Sequence, residues 1–382
     1  MPAGAATPPP GPVVVVGTGL IGTSVALVLV AAGVSVRLTD ADPAALAGAV
    51  GRAAGAPEPA GDDVADAQVA LVVVAVPPQS VAAVVTERLV RHPDAVVTDV
   101  SSVKSLPLRT LLAGPAPLDR YVGGHPMAGS ERSGPDAARA DLFAGRPWAV
   151  TPHPQSRPSA VAAVHRLARL AGAVPVTLDP DDHDRAVAAV SHLPHIAAAV
   201  VAGRLTSASG PTLALTGAGL RDVTRIAAGS PALWTQILAA NARPVADGVR
   251  DLRDGLTEFL DALDAVLEGG TGGGSGATDR LGVLLQRGVD GTARLPGRHG
   301  TAPERFGTLG VVLDDRPGQL ARLFAAVEAA GVDIAELRLD HLAGQAVGQV
   351  ELAVDPDAVP RLATALTAVG WTVHPGGDPG AD

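Results

Sequence analysis

Val13-Val14-Val15-Val16-Gly17-Thr18-Gly19-Leu20-Ile21-Gly22 is the stretch on which the fold turns. Four β-branched residues predict a buried strand, and glycines spaced G-x-G-x-x-G predict a tight turn opening into a helix. The helix is expected over Leu20–Ala32, closed by Gly33, and a second strand over Val34–Thr39 runs out on Asp40. In such a unit the glycines let the backbone approach a pyrophosphate, which the helix N-terminus stabilises. An acid at the end of the second strand accepts from ribose hydroxyls and repels a 2′-phosphate, so NAD is favoured over NADP. Gly17, Gly19, Leu20, Ile21, Gly22 and Asp40 are therefore the candidate cofactor-binding residues. The plainer role for Asp40 is a turn or helix N-cap.

The run from Val13 to Val36 lacks a charged residue before Arg37 and is long enough to imitate a membrane span. Its glycine spacing, and a preceding tail without Lys or Arg, assign it instead to a strand and helix buried in a doubly wound sheet. No membrane association is expected. Further strands are read at Val69–Val76, Ala95–Val100, Tyr121–Gly123, Trp148–Thr151 and Val174–Leu178, with helical patterns between several of them. That alternation predicts a mostly parallel α/β sheet of Rossmann type over 13–180, behind a disordered tail at 1–12. From 181 to 268 the pattern becomes all-helical, as in a substrate-completing or dimerisation domain. Gly269–Gly276 reads as a flexible linker within a linking segment, 269–304, that carries a short helical patch. Residues 305–375 alternate as βαββαβ, a ferredoxin-like unit.

Composition bounds the function. The chain has 382 residues, enough for two or three domains. It is 47% hydrophobic but 2% aromatic, so small and branched aliphatics must fill its cores. A net charge of −10 argues against a nucleic-acid partner. The absence of cysteine excludes disulfides and thiolate metal sites and fits a cytoplasmic protein. Arginine has almost replaced lysine: Lys104 is the only lysine.

Gly123-Gly124-His125-Pro126-Met127-Ala128-Gly129-Ser130-Glu131 places a histidine and a carboxylate in one glycine-punctuated loop. A nicotinamide takes a hydride but not a proton, so an alcohol-oxidising enzyme needs a base beside it. Histidine suits that work near neutral pH. His192 and His195, three apart on a helix, could bind a metal, but no third ligand with a convincing pattern accompanies them and no metal is expected.

With Asp99-Val100-Ser101-Ser102-Val103-Lys104, Ser191-His192-Leu193-Pro194-His195, Arg221-Asp222-Val223-Thr224-Arg225 and Pro231-Ala232-Leu233-Trp234, the 123–131 segment resembles the prephenate dehydrogenase family. The family includes arogenate-using relatives, and the resemblance runs from Val13 to Glu268. It implies a Rossmann domain, an all-helical dimerisation domain forming a homodimer, and NAD-linked oxidative decarboxylation of prephenate or arogenate in tyrosine biosynthesis. By the same resemblance His125 accepts the hydrogen bond of the ring hydroxyl and Ser102 orients His125 and that hydroxyl. Arg225 takes a substrate carboxylate, His195 lies near substrate and cofactor, and Ser130 and Glu131 line or gate the pocket. Asp222 would pair with an arginine and fix its pose, and Asp184 and Lys104 support the site from behind.

Asp315-Arg316-Pro317-Gly318-Gln319-Leu320, at the first strand-to-helix junction of the βαββαβ unit, resembles the ACT domain. Asp315, Pro317 and Gly318 become candidate contacts for an amino-acid effector such as tyrosine. The plainer reading has Asp315 capping the helix with Pro317 in its first turn. Two other functions compete with the dehydrogenase. A β-hydroxyacid dehydrogenase would rely on a lysine in the helical domain, where none exists. A non-catalytic NAD and amino-acid sensor would not need His125, Ser102 and Arg225 together. The short tail before Val13 leaves the expectation of a monofunctional dehydrogenase.

Overall fold

The computed structural model describes residues 7–59, 69–129, 132–268, 275–295, 306–314, 316–341 and 347–375. It divides into two compact units, residues 1–206 with 223–257 and residues 207–222 with 258–382.

In the first unit β1 (Val13–Val16) leads into α1 (Leu20–Ala31), β2 (Val36–Thr39), α2 (Pro43–Gly51), β3 (Ala56–Pro57), β4 (Leu71–Val74) and α3 (Pro78–Arg91). Then come β5 (Val96–Asp99), α4 (Ser105–Leu112), β6 (Tyr121–Pro126), β7 (Pro147–Thr151), α5 (Pro158–Leu170) and β8 (Val174–Thr177). The eight strands lie in the order β3-β2-β1-β4-β5-β6-β7-β8. All neighbours are parallel except β6 and β7. β1 therefore has β2 on one side and β4 on the other, the switch point where a crevice opens at the carboxyl ends of the strands.

Side chains alternate along a strand, so β1 feeds two cores at once. Val13 and Val15 pack with Leu29, Phe143 and Trp148, while Val14 and Val16 pack with Val81, Val85 and Leu89 on the other face. Covering both faces is what makes the segment continuously apolar. Each fully buried valine contributes about 1.5–3 kcal/mol of transfer free energy.

The helical part follows as α6 (Pro180–Val187), a π turn over Ala188–His192, α7 (Leu193–Gly203), α8 (Gly210–Ala214), α9 (Ala218–Thr224), α10 (Pro231–Ala240), α11 (Ala242–Glu268) and α12 (Ser275–Thr292). The π turn has a local cause. Pro194 has no N–H to give the carbonyl four residues earlier, and the helix accommodates this by widening: Leu193 bonds back to the Ala188 carbonyl. The run Pro180–Ser207 is, among the described residues, the one helix long and apolar enough to cross a membrane by length and composition. It nevertheless buries His183, Asp184, His192 and His195, four polar residues that a bilayer would not accommodate cheaply.

In the second unit α12 begins at Ser275, inside the stretch expected to be linker, and residues 269–274 lie outside the described residues. The helix there is longer than its composition suggests. Leu281 and Leu284 are partly buried one turn apart, and Arg287 reaches Glu258 of α11 at 2.7 Å. The C-terminal module is β9 (Gly307–Asp314), α13 (Gln319–Ala329), β10 (Glu336–His341), β11 (Val347–Val354), α14 (Val359–Ala368) and β12 (Val373–Pro375). Its sheet runs β10-β11-β9-β12, antiparallel throughout. Leu309, Val311, Leu323, Val350, Leu352 and Leu362 form its core. The βαββαβ order is as predicted, but Pro317 is not in the first turn of the helix. Gly318, at φ +89°, takes the left-handed conformation that ends the turn, and α13 starts after it.

Candidate active site

The glycine turn between β1 and α1 assigns a different task to each glycine. A Cβ on Gly17, which sits at φ +94°, would overlap the carbonyl of Ala75, and one on Gly22 would overlap the carbonyl of Gly17. Both positions are closed by backbone packing. A Cβ on Gly19 meets nothing within 4 Å, so this face of the helix N-terminus is open to a pyrophosphate. Asp40 lies where the second strand ends. Its Oδ2 accepts from the Thr18 N–H at 2.5 Å and the Thr18 hydroxyl at 2.9 Å, and its Oδ1 from the Asp42 N–H at 2.8 Å. A carboxylate has about four lone-pair sites, so the turn is braced without exhausting the acceptor capacity a ribose would use. The residues present fit a dinucleotide.

The strand read at Tyr121–Gly123 runs further, into the first part of the segment expected to be a loop. Gly123, Gly124, His125 and Pro126 belong to β6, paired with Ala149 and its neighbours in β7. The glycines are there for clearance. A Cβ on Gly123 would overlap the Thr151 hydroxyl, and one on Gly124 would come within 2.8 Å of the Asp99 carbonyl. That close approach lets the adjoining β5 end place a charged pair beneath the site. Lys104, 2% exposed, binds Asp99 Oδ1 and donates to the Gly124 carbonyl at 2.6 Å. Asp99 also accepts from the Ser101 N–H at 2.8 Å and the Tyr121 hydroxyl at 2.7 Å. Burial pushes the Lys104 pKa below its ordinary value, against the pull of Asp99 and Asp184. Burial and the same Asp99 push the Tyr121 pKa well above its ordinary value. The lone lysine is thus a structural cation held one peptide from His125.

His125 Nδ1 lies 2.9 Å from His183 Nε2, and His183 Nδ1 lies 2.9 Å from Asp184 Oδ1. The Asp184 carboxylate accepts in addition from the backbone N–H groups of Lys104 (2.8 Å) and Ser105 (2.9 Å), the start of α4. Burial raises the Asp184 pKa, but the bonds from His183, Ser105 and Lys104 outweigh it and leave it below its usual value. For His125, burial first and then His183, Lys104 and His192 hold the pKa well below the ordinary histidine value. The ring is neutral at neutral pH, as a proton acceptor must be. Among the described residues the hydrogen-bond partner of His125 is His183; no bond from Ser102 to it is present.

The remaining predicted residues divide. His192 is 2% exposed and shares a 3.2 Å hydrogen bond with the Asn241 amide, which also donates to the Asp184 carbonyl at 2.8 Å. Burial pulls its pKa to about 4, with Asp184 opposing. It is a packed histidine, and among the described residues no metal cluster exists. His195 stacks on Trp234 with ring centroids 3.6 Å apart. Burial lowers its pKa, and its bond to the Ile226 carbonyl opposes that. The same bond anchors the short 3-10 turn Arg225–Ala228, on which Arg225 is exposed. The arginine paired with Asp222 is Arg338 of the C-terminal module, at 3.3 Å. Ser130, Glu131 and Asp315 lie outside the described residues. An open groove of about 580 Å³ along α5, lined by Val161, His165, Arg166 and Arg169, contains none of the predicted site residues.

Sequence reasoning missed His183, Asp99 and Asn241. The signal for His183 was present in Asp181-Asp182-His183-Asp184, a histidine among carboxylates at a helix start, ahead of Ser191-His192. Nothing local distinguishes Asn241.

Comparison with known proteins agrees with this geometry. Residues 25–177 match the family model of the prephenate dehydrogenase nucleotide-binding domain, and residues 179–280 that of the prephenate dehydrogenase dimerization domain. The protein named Probable prephenate dehydrogenase NovF of Streptomyces niveus is 38% identical over 94% of this chain and 99% of its own. The prephenate dehydrogenase of Bacillus subtilis is 28% identical over 58% of this chain and 57% of its own. Among solved structures, Synechocystis arogenate dehydrogenase superposes with a TM-score of 0.60 at 25% identity, covering 74% of this chain and 100% of that one. The Aquifex aeolicus prephenate dehydrogenase, solved with hydroxyphenyl propionate and NAD+, shares the fold at TM-score 0.62 and 24% identity, over 73% of this chain and 98% of that one. The strand bearing His125 and the helical partner lie within the residues these family models match, and the chain belongs to the prephenate dehydrogenase family.

Proposed function

We propose that the chain is an NAD-dependent prephenate dehydrogenase, converting prephenate to 4-hydroxyphenylpyruvate and carbon dioxide. The observation that carries this reading is a neutral histidine, His125, a half-buried residue held at the end of β6 with one ring nitrogen bonded to His183. Gly17, Gly19, Leu20, Ile21, Gly22 and Asp40 would hold the dinucleotide, with Gly19 at the open approach. When bound, the nicotinamide supplies the acceptor for the hydride from the ring carbinol carbon. The protein has the proton to manage. As that hydride leaves, His125 receives the hydroxyl proton; the ring carboxylate departs as carbon dioxide, and the proton returns to the phenol oxygen of the aromatic product. Lys104 holds the Gly124 carbonyl and so fixes the strand that aims the histidine.

Arg225 suits a substrate carboxylate by its planar fork, and the anchoring of its turn by His195 supports that role. Ser102, Ser130 and Glu131 complete the pocket in this reading. The exposed apolar side chains of the helical region, Val190, Val200, Leu233 and Leu256 among them, support a homodimer, since a monomer seldom leaves such residues in water together. The βαββαβ module is read as an ACT-like domain for an amino-acid effector such as tyrosine, supported by its strand order and by the turn at Gly318.

The test is reduced-cofactor absorbance with prephenate and arogenate side by side, each with NAD and NADP, with and without tyrosine. Turnover of prephenate with NAD is expected. Preference for arogenate would rename the substrate and leave the chemistry intact. Silence on both, in folded protein that binds NAD, would move the reading to a sensor.

A further inference from the structure

We propose that His183 is a positioning residue that locks His125 in one tautomer, with hydrogen on Nδ1 and Nε2 bare, so that Nε2 is the atom that receives the substrate's hydroxyl proton. The proposal rests on His125 being the base, as argued above, and adds which atom acts and what sets it.

The assignment takes His183 as a ring with one hydrogen and then follows by elimination. An ionised carboxylate only accepts hydrogen bonds. Asp184 accepts from Lys104 N–H and Ser105 N–H, and it is 3% exposed, so the 2.9 Å contact from His183 Nδ1 to Oδ1 must also carry its hydrogen on the imidazole side. A neutral imidazole has one N–H, which leaves His183 Nε2 as a bare acceptor. His125 Nδ1, 2.9 Å from that atom, must then donate. Its own single hydrogen is spent there, and Nε2 is the free lone pair. If His183 carried hydrogen on both nitrogens, Nε2 would donate and His125 would turn over to the wrong tautomer.

The same line of atoms works during the reaction. When the substrate O–H bond breaks and an N–H bond forms at His125 Nε2, the ring becomes an imidazolium. Its Nδ1–H bond to His183 is then charge-assisted, and the Asp184 carboxylate lies one ring further on to balance the charge. The rings meet edge to face, centroids 5.1 Å apart at 70°, a geometry that directs one nitrogen at the other rather than stacking them. The groups facing this line from neighbouring elements are the Lys104 ammonium, already bound to Asp99, and His192 on the π turn, bound to Asn241. Neither competes for the His125–His183 bond.

Two measurements test it. In protein labelled with ¹⁵N-histidine, the ring-nitrogen shifts of His125 should report Nδ1–H and a bare Nε2; a protonated Nε2, or averaging over both tautomers, would overturn the assignment. This readout needs no substrate, so it stands apart from whether the proposed reaction is right. The second compares two substitutions. In His183→Gln the amide oxygen can replace Nε2 as acceptor, and kcat should stay within about tenfold of the parent. In His183→Asn the amide can still donate to Asp184 but cannot reach His125, and kcat should fall at least about a hundredfold with KM for NAD unchanged. Equal losses in both variants, or a loss carried by KM for NAD, would mean His183 is only a packing residue and sink the proposal.

Discussion

The two sheets of this molecule use the same residues to opposite ends. Both have valine and leucine cores, yet the first unit also buries Asp99, Lys104, His183, Asp184 and His192 in one hydrogen-bonded region. Among the described residues, the four-stranded sheet of the C-terminal module buries no charged side chain at all. A buried charge costs free energy unless it is paired and hydrogen-bonded, so each such group comes with a partner, at the site or, as for Arg88 and Glu58, away from it. In the C-terminal module polarity is left on the surface, as in Arg322 lying over Trp371 at 4.7 Å. Packing suffices to fold a module, whereas a catalytic edge must also carry a polar network.

Predictions that break this contrast should have effects ranked by how much of the buried network they disturb. The largest belongs to His125→Asn, which should leave NAD binding intact, followed by fluorescence titration, and lower kcat about a thousandfold or more. The parent enzyme should keep its kcat/KM plateau down to below about pH 6.5, because the neutral form is the active one and the folded pKa lies below the ordinary value. A parent whose activity already falls as pH drops through 7 would contradict the depressed value.

Next is Lys104→Met, which strands Asp99 without its cation. Breaking a buried pair from one side costs about 3–5 kcal/mol, visible as a lowered urea midpoint, and kcat should fall because the Gly124 carbonyl loses its donor. A variant as stable as the parent would refute the buried ion pair.

Glu58 offers a contrast away from the site. Burial pushes its carboxyl up, but His92, Arg88 and Arg91 outweigh it and hold the pKa at about 2 instead of 4.5. A depressed carboxylate stabilises the fold above its unfolded pKa and loses that contribution as pH falls toward the folded value. Glu58→Gln should therefore cost about 2–3 kcal/mol at pH 7, a gap that narrows on acidification below about 4.5, with activity per folded molecule unchanged. A gap independent of pH would refute the ion-pair account.

The smallest effect is expected for Arg338→Ala in the C-terminal module. Its pair with Asp222 is more than half exposed on both sides, so stability should move by less than about 1 kcal/mol and kcat by less than about twofold. A large loss of turnover would show that the two sheets are less independent in function than their interiors suggest.

Much of this was legible in the chain. Strand and helix order, the glycine turn with Asp40, the helical block and the βαββαβ module all follow from short-range pattern, because periodicity and turn chemistry act over a few residues. The loop reading of Gly123–Glu131 was too long at its start, where the strand continues to Pro126, because glycine usually signals freedom. At Gly123 and Gly124 it signals crowding, which no local pattern can express. The expectation that Ser102 orients His125 came from the resemblance, and among the described residues His125 bonds to His183; Asp222 does pair with an arginine, but only the structure shows that it is Arg338.

What the sequence alone determined is the architecture and the histidine proposed as the base, since both rest on contiguous residues. Only the tertiary structure decided how that base is held. His183 stands 58 residues from His125, and Asp184 stands 80 from the Lys104 backbone it binds. Strand order and the packing of α6 against the sheet bring them within 3 Å, and hydrogen-bond partners are chosen by distance in space, which a linear pattern of residue types does not encode.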